Sequence, residues 1–140
     1  MVRANRAFTL VEILIVVVIL GILAAVVVPN MVSATDQASE NATLTELQKL
    51  RNHLGVYFAR ESGFPAVEEG EGTWGALVGD SYLGAAPVNS WVGLTNGRVI
   101  VFGTGPDGVY QTDYGWIYDP SSGDVWAGGF DATDKPIEKP

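Results

Sequence analysis

The sequence contains no cysteine and has few basic residues. Its 140 residues include 8 Lys and Arg against 16 Asp and Glu, which gives a formal net charge of −8. The lack of cysteine excludes a disulfide, a thiol nucleophile and a thiolate metal site. The lack of a cationic excess argues against nucleic-acid binding, because phosphates are neutralised by Lys and Arg. The length suits one modest domain.

Residues that carry enzyme chemistry are also scarce. His53 is the only histidine and has no candidate nucleophile near it in sequence. Gly103–Gly108 has the glycine spacing of a dinucleotide-binding loop, but the segment that follows, Tyr114–Tyr118, is typical of a strand where such a site needs a helix. We therefore expect no catalytic residues and no enzyme activity.

A single long apolar segment lies near the N-terminus. Phe8–Val28 comprises 21 residues with one charge, Glu12. A bilayer core of about 30 Å is crossed by roughly 20 helical residues, so this segment is long enough to span a membrane. Arg3 and Arg6 precede it with no acid among them. This pattern predicts a cytoplasmic N-terminus and places the chain after Pro29 on the far side of the membrane.

A secretory signal peptide is the main alternative for this segment. It would end at Val32-Ser33-Ala34, which is a small-residue cleavage site. Glu12 argues against it, because an acid in a membrane segment is costly unless it is paired and is therefore a functional residue by default. A buried core helix is disfavoured as well, because apolar residues occupy every face of the segment.

The residues around Glu12 resemble a known processing motif. Arg6-Ala7-Phe8-Thr9-Leu10-Val11-Glu12 is similar to the cleavage and methylation motif of type IV prepilins and type II secretion pseudopilins. The resemblance implies that a prepilin peptidase cuts between Ala7 and Phe8 and that the new Phe8 amine is methylated. Glu12 is then the fifth residue of the mature chain, and Gly21 and Pro29 match the family's glycine and proline. Ala7 stands where the family usually has glycine, which implies slower cleavage.

Cleavage would give Glu12 a charged partner. The new α-amino cation at Phe8 lies about 6 Å along the helix axis from Glu12, so a pair within one subunit and a pair between neighbours are both open. A pair between neighbours in a low dielectric depends strongly on distance and would set the stagger of a filament. The alternative to a charge pair is that the Glu12 carboxylate lies in water at the membrane interface. Gly21 and Pro29 weaken the helix, which predicts either a kink or a segment that unwinds on assembly.

The pattern after Pro29 predicts an α+β, pilin-like fold with one long N-terminal helix. Ser33–Arg60 contains Gly55 as its only glycine and no proline. Its apolar residues recur at three- and four-residue steps, at Leu44, Leu47, Leu50, Leu54, Tyr57 and Phe58. We expect a helix from near Phe8 to near Arg60, transmembrane in its first half and amphipathic in its second. Ser62-Gly63-Phe64-Pro65 ends it.

Three strands are predicted in the rest of the chain. They are Arg98–Phe102, Tyr114–Tyr118 and Asp124–Ala127, with a turn at Asp119–Asp124 and one short helix around Trp74–Val78. We expect a small C-terminal antiparallel sheet that covers the apolar stripe of the helix, and a disordered tail at Asp131–Pro140. The predicted organisation is a leader at residues 1–7, a transmembrane and assembly helix at 8–30, and a periplasmic globular head at 31–140.

The head is also similar to the major pseudopilins of type II secretion. The similarity lies in Ser62-Gly63-Phe64-Pro65, in Tyr82-Leu83 with Pro87-Val88-Asn89-Ser90-Trp91, and in Gly105-Pro106-Asp107-Gly108. In that family the following loop carries acids that bind calcium, so the resemblance implies a calcium site at Asp107 and Asp113. Tyr114 stands where a second adjacent acid is usual, whereas calcium prefers six to eight oxygen ligands. The alternative to a calcium site is that Asp107 and Asp113 are solvated turn residues.

Two classes of function fit these features. The resemblance implies a filament subunit anchored once in a bacterial inner membrane, with identical subunits, related minor subunits, a prepilin peptidase, an inner-membrane assembly platform and membrane lipid as partners. It would serve type II secretion or, as an alternative, an adhesive or motile pilus, although many such pilins carry a disulfide that this chain lacks. The other class is a membrane-anchored or secreted binding module with a ligand surface made of Trp74, Trp91, Trp116 and Trp126. A segment that serves only as a membrane anchor does not need Phe8 and Glu12 at the spacing of the processing motif.

Overall fold

A computed structural model describes residues 8–79 and 81–140, the side chains of residues 29 and 30 excepted. The predicted leader and its last residue, Ala7, lie outside the described residues. The chain divides into two compact units, one that ends at Asp36 and one that runs from Gln37 to Pro140. The membrane-type segment belongs to the first unit, and the sheet belongs to the second.

One long helix, α1, spans Leu10–Glu61 and comprises 52 residues. This confirms the predicted helix to within two residues at each end. The helix includes both Gly21 and Pro29. It ends where the Ser62 amide donates a hydrogen bond to the Phe58 carbonyl over 2.9 Å and Ser62 takes a positive φ of 56°, a backbone conformation that commonly terminates helices.

The rest of the second unit contains a four-stranded sheet. Its strands are β1 (Gly70–Glu71), β2 (Val99–Phe102), β3 (Trp116–Tyr118) and β4 (Val125–Ala127), adjacent in that order. A short 3₁₀ helix at Gly75–Leu77 lies in the region where a short helix was predicted. The three predicted strands are confirmed, each one or two residues shorter at its start. β1 was not predicted.

The sheet is mixed, which corrects the prediction of a purely antiparallel one. β1 pairs with β2 and β3 pairs with β4 in antiparallel fashion, but β2 and β3 are parallel. The physical reason is the connection: 13 residues, Gly103–Gly115, separate β2 from β3, which is enough to carry the chain back across the sheet, whereas a hairpin uses two to five. Only β3 and β4 are joined by a tight turn.

The core lies between the second half of α1 and the sheet. Leu47, Leu50 and Leu54 of the predicted stripe are buried, and Leu44 and Tyr57 pack against them at its edge. The sheet and loops contribute larger side chains, which include Trp74, Trp91, Ile100, Trp116, Tyr118 and Phe130. Phe58 is the exception in the stripe: it stays 48% exposed and stacks on Phe64, with ring centroids 4.7 Å apart.

A buried polar pair, Asn89 and Thr43, ties the helix to the loops. Asn89 Nδ2 donates to the carbonyls of Gly115 and Gly128, both over 2.8 Å. Its Oδ1 accepts from the Trp91 amide over 2.9 Å and lies 3.1 Å from Thr43 Oγ1 on α1. Both residues have no solvent exposure, so one side chain satisfies backbone groups from three separate segments.

The C-terminal tail is folded against this unit, which corrects the prediction that it is disordered. The Ile137 amide donates to the Gly129 carbonyl over 2.8 Å. Arg51 of α1 donates to both carboxylate oxygens of Asp134, over 2.5 and 3.0 Å. The prediction was wrong because polar composition describes only local preference, whereas the bidentate partner lies 83 residues earlier.

Candidate assembly and processing site

The first half of α1 presents apolar side chains to its surroundings on every face. Each large hydrophobic side chain from Phe8 to Val28 is between 49% and 85% exposed. Among the described residues, α1 is the one helix that is long and apolar enough to cross a membrane. So much exposed apolar surface is unfavourable in water, and it indicates that this segment is covered by lipid or by other chains.

Glu12 lies at the start of that surface and is held by Thr9. The Glu12 amide donates to Thr9 Oγ1 over 3.2 Å, while Glu12 Oε2 accepts from the Thr9 amide over 3.0 Å and from its hydroxyl over 3.1 Å. Because α1 begins at Leu10, Thr9 is the N-cap residue and Glu12 is the third helical residue. The arrangement is a reciprocal capping box.

The capping box directs the carboxylate back toward the predicted cleavage position. Its acceptor, Oε2, contacts the backbone of the residue directly after Phe8. Oε1 has no hydrogen-bond partner among the described residues, so the carboxylate has remaining acceptor capacity for a cation. The sequence contained this signal, since Thr9-Leu10-Val11-Glu12 is a T-x-x-E pattern, but Thr9 was not among the predicted site residues.

Among the described residues, Gly21 makes no close contact that would require a glycine. A Cβ atom added at Gly21 would meet nothing within 4 Å. Glycine in a helix interior costs about 1 kcal/mol relative to alanine, so the packing of this chain alone gives no reason for it. At Pro29 the backbone stays within α1, and a role for either residue in assembly remains a prediction.

The proposed calcium ligands lie in the loop between β2 and β3, residues 103–115. Asp107 Oδ1 accepts a hydrogen bond from the Tyr114 hydroxyl over 2.5 Å. Asp107 Oδ2 accepts from Gln111 Nε2 over 2.9 Å and from the Gly129 amide over 2.7 Å. Asp113 is exposed, and its amide, not its carboxylate, joins this network by donating to Gln111 Oε1 over 2.7 Å.

These residues do not fit a calcium ion. The described residues contain no group of three or more acids or histidines close enough to hold a metal. The two oxygens of Asp107 accept three hydrogen bonds, which leaves this carboxylate with little acceptor capacity for a cation that prefers six to eight oxygen ligands. Burial and the hydrogen bond to Asp107 raise the pKa of Tyr114 to about 12, so its hydroxyl remains a donor at neutral pH. Gln111 belongs to this network and was missed, because nothing in the local pattern marks it.

The tryptophans do not form a ligand surface. Trp74 and Trp116 have no solvent exposure and Trp91 retains 8%. Trp74 packs edge-on against Tyr118, and Trp91 packs edge-on against Phe130. This part of the binding-module alternative is wrong, because three of its four aromatic side chains are part of the hydrophobic core.

Comparison with known proteins gives a family match at the N-terminus and relatives that cover most of the chain. Residues 2–28 match the family model of the prokaryotic N-terminal methylation motif. The chain is similar to the type II secretion system core protein G of Dickeya chrysanthemi, with 33% identity over 131 residues that cover 79% of this chain and 84% of the relative. The protein of that name from Klebsiella michiganensis is 31% identical over 131 residues, covering 79% and 90%. No solved structure matches the chain significantly.

An N-terminal methylation motif at the start of a long apolar helix, followed by a small α+β head, defines a pilin-like filament subunit. The extent of the match to the named relatives narrows this class. The chain belongs to the family of the type II secretion system core protein G, the major pseudopilins. The resemblance found in the sequence is thereby confirmed.

Proposed function

We propose that this chain is made as a precursor, processed at its N-terminus and polymerised through α1 into a filament that helps to move proteins out of the cell. A prepilin peptidase cuts between Ala7 and Phe8, and the Phe8 amine is then methylated. The observation that carries the proposal is the exposed apolar face from Phe8 to Val28, which none of the described residues covers and which carries a single acid at its start.

Assembly brings the cut end of one subunit to Glu12 of a neighbour. Oε1 of Glu12, which has no hydrogen-bond partner in the part of the chain that the structure describes, supports this role, because a carboxylate among apolar side chains is stabilised by a nearby cation. Identical copies form most of the filament, related minor subunits join it, and an inner-membrane platform drives growth. Gly21 and Pro29 allow α1 to kink or to unwind locally as subunits pack against one another.

The same features support a membrane orientation before assembly. Arg3 and Arg6 lie on the N-terminal side of the apolar segment, which favours a cytoplasmic N-terminus and a periplasmic head. The chain crosses the inner membrane once and leaves it when it enters the filament. The names of the relatives favour secretion over an adhesive or motile pilus.

The mature N-terminus tests this proposal directly. Mass spectrometry of the chain purified from a membrane fraction should give a protein that begins at Phe8 and carries a methyl group on its α-amine. Cells without prepilin peptidase should yield the chain that still begins at Met1. A mature chain that begins at Thr35, after the alternative site Val32-Ser33-Ala34, would show that the segment is a secretory signal peptide and would refute the filament role.

A further inference from the structure

The loop at residues 103–115 has to be fixed by something other than strand pairing. It connects two parallel neighbours, β2 and β3, and carries the chain from one end of the sheet to the other. Only its ends join the sheet: the Gly103 amide donates to the Tyr118 carbonyl over 3.1 Å and the Gly115 amide to the Val99 carbonyl over 2.9 Å. A loop of this length is closed by a bound ion or by its own side chains.

Gln111 determines what can bind inside the loop. Its Oε1 accepts from two backbone amides, those of Asp113 over 2.7 Å and Tyr114 over 3.2 Å. These two donors fix the orientation of the side-chain amide, because the reverse orientation would set NH₂ against N–H. Nε2 must therefore point the other way, where it donates to Asp107 Oδ2 over 2.9 Å and to the Tyr114 carbonyl over 3.1 Å.

Asp107 consequently faces donors on both of its oxygens. Nε2 of Gln111 and the Gly129 amide bind Oδ2, and the Tyr114 hydroxyl binds Oδ1. Each of these groups presents a partial positive charge to the carboxylate. They supply the electrostatic partner that a divalent cation would otherwise supply, and they repel a cation from the same position.

The network also joins the loop to the C-terminal part of the head. The Gly129 amide follows β4 by two residues, and its bond to Asp107 spans 22 positions of sequence. Gly128 contacts the same loop, since its amide donates to the Gly115 carbonyl over 2.8 Å. One carboxylate therefore connects three segments: the start of the loop, its end and the segment after β4.

We propose that the Asp107–Gln111–Tyr114 hydrogen-bond network closes this loop in place of a calcium ion, so that the head folds and keeps its stability without calcium. The calcium site implied by the resemblance is thus replaced by a network of neutral donors around one acid. This inference concerns the head alone and holds whether or not the chain assembles as proposed above.

The test is thermal unfolding of the full chain in detergent micelles, with excess calcium chloride and with a chelator. The melting temperature should be the same in both buffers, and calorimetric titration with calcium should give no binding heat. Tyr114→Phe should lower the melting temperature in both buffers alike, by roughly 4–8 °C, the shift that one lost hydrogen bond gives in a domain of this size. Gln111→Ala removes four hydrogen bonds and should lower the melting temperature further, again equally in both buffers.

Asp113→Asn is the matched control. Its carboxylate has no hydrogen-bond partner among the described residues, so its replacement should leave the melting temperature unchanged. A calcium site at Asp107 and Asp113 gives the opposite pattern: the chelator lowers the wild-type melting temperature and Asp113→Asn abolishes that response. Either result overturns the proposal, as does a Tyr114→Phe variant that melts like the wild type.

Discussion

At the scale of single residues, Glu12 has one role that the structure shows and a second that we propose. It caps its own helix through Oε2, and its negative charge lies at the positive end of the helix dipole, where an acid is favourable. The cap explains how the single chain tolerates an acid at the edge of an apolar segment. The charge, with Oε1 unpartnered among the described residues, is what a neighbouring subunit can use.

Two substitutions distinguish the cap from the charge. Glutamine also serves as the third residue of a capping box, so Glu12→Gln retains the whole box and removes only the charge. Glu12→Leu removes the charge and the side-chain half of the box, and leaves the bond from the amide of residue 12 to the Thr9 hydroxyl. We expect both variants to be cleaved and inserted normally, and leucine removes an acid that is costly in lipid. Filament yield should fall strongly for both, because the neighbour's Phe8 amine loses its counter-charge.

Thr9→Val is the control for these assembly variants. It removes the hydroxyl from the capping box and keeps the charge, at a cost to the helix of about 1 kcal/mol. Its filament yield should stay close to that of the wild type. The measurement is the recovery of filaments from cells that overproduce the subunit, with processed monomer quantified beside it. Normal yield from Glu12→Gln would rule out the charge pair as the assembly contact.

Asn89 is the corresponding key residue of the head. Asn89→Asp keeps the shape of the side chain but turns a carboxylate oxygen toward the buried carbonyls of Gly115 and Gly128. The Gly128 carbonyl loses the donor that Asn89 supplies, and the Gly115 carbonyl retains only the Gly128 amide. A buried polar group left unsatisfied costs about 1–3 kcal/mol, and a charged one costs more, so we expect the buried carboxylate to lower the free energy of unfolding by at least about 3 kcal/mol.

Asn96→Ala provides a matched comparison for Asn89. Asn96 donates a single hydrogen bond near the surface, from Nδ2 to the Thr112 carbonyl over 2.7 Å. Its loss should cost about 1 kcal/mol or less, because water can replace the partner. Denaturant unfolding of the full chain in micelles measures both values. Equal losses for the two asparagines would contradict the central role assigned to Asn89.

At the scale of elements, local periodicity predicted the helix and could not predict the sheet order. The steps between Leu47, Leu50 and Leu54 are visible within one segment, and all three are buried as expected. Strand direction depends on how a long loop returns, which no local pattern records. β1 has only two residues, and it is supported by Glu69, whose Oε1 accepts from the Phe102 amide at the end of β2 over 2.8 Å.

The loop at residues 103–115 should make the head sensitive to alkaline pH. Burial and Asp107 raise the pKa of Tyr114 to about 12, against about 10 in the unfolded chain. Between these values the folded state retains a proton that the unfolded state loses. The stabilisation is therefore complete below about pH 10 and is lost as the pH rises toward 12.

Tyr114→Phe isolates this contribution. Burial raises the pKa of Tyr118 to about 12 as well, so the wild type should lose stability over this range through two groups and the variant through one. Unfolding free energies measured from pH 9 to pH 12 should fall less steeply for Tyr114→Phe. Parallel curves would show that the Tyr114 hydroxyl titrates alike in the folded and unfolded chains.

At the scale of the whole molecule, the two units carry different kinds of surface. Every buried residue of the hydrophobic and polar core lies at or after Thr43, in the second unit, whereas the described side chains up to Val28 are all exposed. The sequence allowed this division to be predicted because membrane-length hydrophobicity and amphipathic periodicity are both local. It did not allow the network around Asp107 to be predicted, since that network depends on contacts with Gly129.

The division predicts that the head folds without the membrane segment. A fragment of residues 31–140 retains Thr43, Leu47 and Leu50 and therefore the complete core. It should be soluble and should unfold cooperatively, with a melting temperature within a few degrees of the full chain in micelles.

A fragment of residues 51–140 loses these three side chains and the hydrogen bond between Thr43 and Asn89. Loss of each buried leucine costs about 2–5 kcal/mol, and a domain has only about 5–15 kcal/mol in total, so this shorter fragment should not fold. Circular dichroism and thermal melts decide between these outcomes. If residues 31–140 also fail to fold, the first unit is part of the structural core and cannot be only an anchor and assembly segment.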